Sequence, residues 1–300
     1  MVERAGERRF LDPAVIARLG TLELKARTIV EGFLSGLHRS PFKGFSVEFA
    51  EYRQYLPGDD LSTIDWKVFA RSDRYYVKKF EEDTNLDCHV MIDVSGSMAY
   101  GSRGMTKFEY AGCLAASLSY LMNRQRDAVG LTAFSDRIVI RVPASARPGH
   151  LRSLLVALQQ LTLGSETDVS KPLRQLVESL SKRGMVIVIS DLLDDPESVV
   201  RALKYFRYRG TDVLVFHVLD RDEIDFPFQR AARFEDIETA EEVVAVPGTV
   251  RSHYLKQMGD LIEHYRRELG AAGIDYQLLT TDQPLELALL SYLLARSKTL

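Results

Sequence analysis

The sequence predicts an α/β protein: a doubly wound, mostly parallel sheet with helices on both faces, preceded by an N-terminal helix and a small β-rich extension. Three observations carry this. From Leu86 onward, short apolar runs of strand length alternate with longer segments of helical periodicity. The run Met185–Ser190 is continuously apolar until its last residue, as expected of a strand buried on both faces. A chain of 300 residues that is 46% hydrophobic and 27% charged has core enough for one large domain, or one domain plus an extension.

The elements follow in order. Asp12-Pro13 reads as an N-cap with proline at the first helical position. Val15, Ile16, Leu19, Leu22, Ile29, Val30, Phe33 and Leu37 then recur near helical spacing, until Ser40-Pro41 stops the helix. Phe45 to Tyr55 and Tyr75 to Phe80 are β-prone, with a turn at Pro57-Gly58-Asp59-Asp60 between them. Residues 1–84 are therefore expected to form the helix and extension, and residues 85–300 the α/β domain. Within it, strands are expected at Leu86–Ile92, Val129–Phe134, Ile138–Val142 (a hairpin with the strand before it), Met185–Ser190, Asp212–Leu219 and Ile274–Leu279. Helices are expected at Met105–Arg126, Pro148–Leu161, Val169–Lys182, Pro196–Tyr208, Pro247–Leu269 and Pro284–Arg296. The stretch 220–246 interrupts the rhythm as an insertion, in which Arg233–Asp236 and Glu242–Ala245 suit a short hairpin capping a sheet edge.

Composition excludes several classes. Thirty-nine basic against 42 acidic residues give a formal charge of −3, without the basic excess of a nucleic-acid binder. Cys88 and Cys113 are too few for a disulfide framework or a structural zinc site, and both lie in apolar runs that suit buried small residues. The charged start has no signal-peptide core and no apolar run reaches the ~18 residues of a membrane helix, so a cytoplasmic protein without membrane insertion is expected. His89 and His217 sit within apolar strands, where core packing is the expected role.

One motif stands above this background: Asp93-Val94-Ser95-Gly96-Ser97. An apolar strand delivers Asp93 to the carboxyl end of the sheet, where open α/β folds bind ligands at the point of reversed strand order. Carboxylate and hydroxyl oxygens suit a hard divalent cation, and three such groups are too few to fill an octahedron. Two further sources exist: Asp191, at the end of the Met185–Ser190 strand, and Thr167, in the polar loop Gly164–Asp168. Ser165 and Asp168 are neighbours that can serve in place of Thr167. The competing reading of the motif is a polar strand-to-helix turn in which a serine caps the next helix. For Asp191, Asp194 and Asp195 it is a helix start before Pro196, which accounts for the latter two better than for Asp191.

The five positions Asp93, Ser95, Ser97, Thr167 and Asp191 resemble the metal-ion-dependent adhesion site of von Willebrand factor A domains. A second resemblance spans nearly the whole chain. Glu51-Tyr52-Arg53-Gln54-Tyr55-Leu56-Pro57-Gly58-Asp59-Asp60, Ile64-Asp65-Trp66-Lys67, Ala70-Arg71, Phe234–Glu238 and Ile274-Asp275-Tyr276 are similar to the domain of unknown function 58 family, which carries a von Willebrand A-like domain. The resemblance implies the strand order 3-2-1-4-5-6, with the strands ending at Asp93 and Asp191 side by side. It further implies Mg²⁺ (Mn²⁺ or Ca²⁺ being possible substitutes), bridging to a carboxylate of a protein partner. The implied protein is a non-catalytic binding module and an adaptor for a MoxR-type AAA+ ATPase acting on client proteins. Many family members carry N-terminal membrane helices, which this sequence does not show.

The enzyme alternative is a metal-dependent hydrolase of phosphoesterase type using the same ion, with Glu166 or Asp194 as general base. The motif departs from the G-x-S-x-G of acyl-transfer serines, and the sequence contains neither a Walker A loop nor a dinucleotide fingerprint. In the extension, Tyr52, Tyr55, Trp66 and Phe69 are expected to pack, with Arg53, Asp60, Asp65 and Arg71 as ion pairs; the alternative is a docking face.

Overall fold

The computed structural model describes residues 13–38, 52–54, 76–78, 86–164, 169–180, 184–230, 232–235 and 242–299. Two helices come first among the described residues, α1 (Pro13–Ala17) and α2 (Leu22–His38), where the periodicity predicted one. The break has a local cause. Thr21 takes the cap position of α2, its hydroxyl accepting the Leu24 N–H at 3.2 Å, and Gly20 precedes it. Two short strands, β1 (Tyr52–Gln54) and β2 (Tyr76–Lys78), pair antiparallel. The turn between them, Trp66 and the expected ion pairs lie outside the described residues.

The main sheet has six strands: β3 (Asp87–Asp93), β4 (Ala128–Phe134), β5 (Ile138–Ser145), β6 (Met185–Ser190), β7 (Asp212–Leu219) and β10 (Asp275–Thr280). Their spatial order is β10-β7-β6-β3-β4-β5, which is 3-2-1-4-5-6 in order of appearance. All pairings are parallel except β4 with β5, the expected hairpin. Two further strands, β8 (Ala232–Glu235) and β9 (Glu242–Ala245), form the antiparallel hairpin expected in the insertion.

Alternation along the strands fills two cores. Val90, Ile92, Ile187 and Ile189 point to one face, where they meet α2, α3 (Lys107–Arg124), α4 (His150–Gln159) and α9 (Glu286–Thr299). Met91, Val186 and Val188 point to the other, against α5 (Ser170–Ser179), α6 (Pro196–Tyr208) and α8 (Pro247–Ala271). These central strand residues are fully buried, each worth about 1.5–3 kcal/mol relative to exposure. The N-terminal helix α2 belongs to the first core, burying Ala26, Ile29, Val30 and Phe33 in it. No helix among the described residues is long and apolar enough to cross a membrane.

From β3 the chain moves outward through β4 and β5, then returns to lay β6 on the other side of β3. The winding direction therefore reverses between the carboxyl ends of β3 and β6. That crevice is where an open α/β sheet offers a ligand site.

Candidate functional site

Register places the two strand ends together. Ile92 lies opposite Ile189 in the parallel β3–β6 ladder, so Asp93 meets Ser190 and Asp191 follows one residue later. The Ser190 hydroxyl donates to Asp93 Oδ2 at 2.5 Å, and the Ser95 backbone N–H donates to Asp93 Oδ1 at 2.9 Å. Ser190 Oγ also accepts the Leu192 N–H at 2.9 Å. This bond helps hold Leu192 at φ +51°, a left-handed conformation costly for a branched residue. The Leu192 carbonyl accepts the Tyr265 hydroxyl at 2.9 Å. The turn that aims Asp191 is thus held by two hydroxyls, those of Ser190 and Tyr265.

Asp93, Ser95 and Asp191 are completely buried, and Ser97 is half-buried. Burial, and then the negative charge of Asp191, push the Asp93 carboxyl up from its ordinary 3.8 to about 7. Hydrogen bonds from Ser190 and Ser95 oppose this and do not cancel it. The two motif hydroxyls, Ser95 Oγ and Ser97 Oγ, are 3.1 Å apart. The competing reading, a serine capping the next helix, does not hold: Ser95 makes no side-chain capping bond to the 3-10 turn Gly96–Ala99. Helix α3 is capped instead by Thr106, in a reciprocal box with Glu109.

Thr167, with Ser165, Glu166 and Asp168, lies outside the described residues. The residues on either side of that segment are anchored near the site. The Gly164 N–H donates to the Val94 carbonyl at 2.6 Å, and a Cβ at Gly164 would come within 3.2 Å of the Ser135 side chain. Beyond the segment, the Val169 N–H donates to Asp194 Oδ2 at 3.0 Å. Asp194 is therefore engaged with backbone, while Asp195 caps α6 by accepting the Ser198 N–H, as the sequence predicted for that pair. Cys88 and Cys113 are buried thiols, as expected, and His217 is a buried core histidine bonded through Nδ1 to the Tyr276 hydroxyl at 2.7 Å.

Two residues that sequence reasoning missed complete the cluster. The Lys107 ammonium, fully buried, lies 2.7 Å from Asp191 Oδ2 and 2.6 Å from Glu223 Oε1. Burial works to lower the lysine pKa, but the two carboxylates outweigh it and hold the group above its ordinary value. Glu223 is raised by burial despite the lysine beside it. Glu223 belongs to the short helix α7 (Arg221–Asp225), which opens the insertion. Asp220, just before it, accepts the Ser102 hydroxyl and N–H and the Thr281 hydroxyl. Sequence gave one faint signal: a lysine at the first position of a helix opposes the helix dipole and needs an acidic partner.

With all three carboxylates ionised, the buried Asp93 and Asp191 and the half-buried Glu223 against Lys107 carry two net negative charges. Buried uncompensated charge is costly, and a divalent cation would neutralise it. Among the described residues, no group of three or more His, Cys, Asp or Glu side chains is arranged to hold an ion. The set here differs in kind, drawing on one buried carboxylate and two hydroxyls. Such all-oxygen donors fit a hard ion that keeps several waters, and Asp93, Ser95 and Ser97 are the groups that would hold it.

Comparison with known proteins agrees with this architecture. Residues 51–260 match the family described as Protein of unknown function DUF58, and the chain belongs to that family. An uncharacterized protein of Mycobacterium tuberculosis is 30% identical over 219 residues, covering 72% of this chain and 68% of that one. An uncharacterized protein of Mycobacterium bovis matches to the same extent. Among solved structures, the conserved hypothetical protein BatB from Bacteroides thetaiotaomicron superposes with a TM-score of 0.50 at 15% identity, over 72% of this chain and all of that one (100%). An aerotolerance-related membrane protein from Bacteroides fragilis does so with a TM-score of 0.50 at 16% identity, over 69% and 98%. At these identities the likeness is one of fold. The SpRpn10 VWA domain aligns more distantly, with a TM-score of 0.38.

Proposed function

We propose that this DUF58 member is a non-catalytic, metal-dependent protein-binding module whose ion, Mg²⁺ by its donor chemistry, bridges Asp93, Ser95 and Ser97 to a carboxylate of a partner. Asp191, paired with Lys107, and Thr167 are the further site residues that the von Willebrand A resemblance implies. The observation that carries the reading is the placement of Asp93 at the switch point: it is buried against Asp191, and among the described residues no basic side chain is paired with it. An ion there supplies positive charge and holds an acidic side chain from outside; the chain's own residues bind and orient it.

The partner proposed from the family resemblance is a MoxR-type AAA+ ATPase together with its client, in a cytoplasmic setting. The hydrolase alternative needs a general base beside the ion. Asp194, one of its two candidates, accepts hydrogen bonds from the Val169 and Asp195 N–H groups, so it is already engaged in shaping the loop. No observation favours that alternative over the binding module.

Calorimetric titration of Mg²⁺ or Mn²⁺ into the wild type and Asp93→Ala tests the metal. Saturable binding is expected only in the wild type; equal or absent binding in both would sink the reading. Affinity capture with and without chelator then tests the bridge, with partners dropping out when the ion is removed. Metal-dependent phosphoester hydrolysis by the purified protein, lost in Glu166→Ala, would replace the adaptor reading with the enzymatic one.

A further inference from the structure

Lys107 is the most costly side chain at this end of the sheet. It is fully buried at the positive end of α3, where both desolvation and the helix dipole disfavour an ammonium. It stays because two carboxylates from distant parts of the chain converge on it: Asp191 from the end of β6 and Glu223 from the start of the insertion. The second oxygen of Glu223 is engaged too, accepting the Asp220 N–H at 2.6 Å. The lysine therefore occupies Oδ2 of Asp191, the carboxylate whose charge acts on Asp93.

We infer that Lys107 is a specificity-determining positioning residue of the cation site. It keeps Asp191 and Glu223 paired, so that the ion is met by one carboxylate and two hydroxyls rather than by a carboxylate-rich cage. This rests on the metal-binding reading above. A sparse, neutral-hydroxyl site suits an ion that retains its water. A cage with additional carboxylates suits Ca²⁺, which accepts more oxygen ligands in looser geometry. The ammonium also repels an incoming cation, which limits affinity and keeps occupancy responsive to partner binding.

Two variants of the full chain move the affinity in opposite directions if this is right. Lys107→Met removes the counter-ion and uncovers Asp191. Divalent binding, read by calorimetry with MgCl₂ and CaCl₂, is expected to tighten by at least about tenfold, with the larger gain for Ca²⁺. Glu223→Gln leaves Lys107 to Asp191 alone and removes one negative charge, so binding is expected to weaken by about tenfold although Glu223 is not a ligand. If Lys107→Met does not fold, the double variant Lys107→Met/Glu223→Gln, which keeps the wild-type charge of the cluster, takes its place and is expected to bind more tightly than Glu223→Gln. Near-ultraviolet circular dichroism in chelator establishes that each variant is folded.

The outcomes separate the two ideas. A wild type that binds, with affinities and Ca²⁺ preference unchanged in the variants, overturns this role for Lys107 and leaves the metal reading intact. A wild type that does not bind, beside a lysine variant that does, overturns both, because the native chain then has no cation site for Lys107 to shape. Absence of binding throughout overturns both.

Discussion

Replacing Asp93 by asparagine should stabilise the metal-free protein, the reverse of what removing a buried, fully hydrogen-bonded residue normally does. Asp93 Oδ1 accepts the Ser95 N–H and Oδ2 accepts the Ser190 hydroxyl, yet its carboxyl titrates near 7 because burial and Asp191 disfavour the charge. Moving a carboxylate from 3.8 to about 7 corresponds to on the order of 4 kcal/mol against the ionised native state. The sign follows from proton linkage. A raised folded-state pKa means the native state holds the proton more tightly than the unfolded chain. The contribution of Asp93 is therefore fully present below about 3.8, is lost as pH rises towards about 7, and stays lost above it. Asparagine has no such dependence. It keeps the acceptor for Ser95 but disturbs the bond from Ser190, costing about 1 kcal/mol.

The expected net gain for Asp93→Asn at pH 8 in chelator is thus about 2–3 kcal/mol, read by urea unfolding. The gap between variant and wild type should close as pH falls to 4. Added Mg²⁺ should stabilise the wild type with the logarithm of its concentration once above the Kd and leave Asp93→Asn unmoved. If instead Asp93→Asn is the less stable protein in chelator at pH 8, by 1 kcal/mol or more, the surrounding donors already satisfy this carboxylate. The case for a missing positive charge would then fail.

Three further outcomes are open to measurement. Burial lowers the His217 imidazole from 6.5 to about 4, so it contributes to stability above 6.5 and that contribution disappears as pH falls through about 4. The loss is on the order of 3 kcal/mol, and the difference between wild type and His217→Gln in urea melts at pH 7.5 and 4.5 should reveal it. Tyr265→Phe removes the hydroxyl bonded to the Leu192 carbonyl; it should cost about 1–3 kcal/mol and weaken Mg²⁺ binding in calorimetry, because the turn carrying Asp191 loosens. Ile187→Ala, in the fully buried centre of β6, should cost about 2–5 kcal/mol in thermal or urea unfolding while leaving the cation affinity of the folded protein unchanged.

The sheet was legible where one physical signal dominated. Met185–Ser190 and Pro196–Tyr208 appear in the structure with the boundaries their sequences predict. A buried parallel strand must be a continuous apolar run, and an aspartate followed by proline defines a helix start. The N-terminal break was hidden because Leu19 and Leu22 preserve helical spacing across it, while the cap that interrupts it is a single hydroxyl, Thr21. Asp93 and Asp191 were legible because each ends an apolar strand. Lys107 was not, since its partners lie 84 and 116 residues further along the chain and only tertiary structure brings them to it. The role of the insertion was likewise only half visible. Its hairpin follows from local alternation, but its first turn reaches back to Ser102 and Lys107 through Asp220 and Glu223.

The winding of the sheet itself generates the charge problem that the site answers. A first strand placed between the second and the fourth brings two strand ends into contact, and each delivers an aspartate to the same water-poor crevice. Side chains in adjacent parallel strands cannot separate without breaking the ladder, so the repulsion is built in by register. The helix leaving the first strand end supplies one ammonium, and the insertion supplies a third carboxylate to share it. A purely structural cluster would more simply carry neutral residues here, since replacing buried charges by well-packed apolar side chains is often neutral or stabilising. The presence of Asp93 beside Ser95, whose hydroxyl makes no capping bond, and Ser97 therefore argues for a ligand that needs a charge there. By sign and by donor type, a hard cation is the ligand we propose for it.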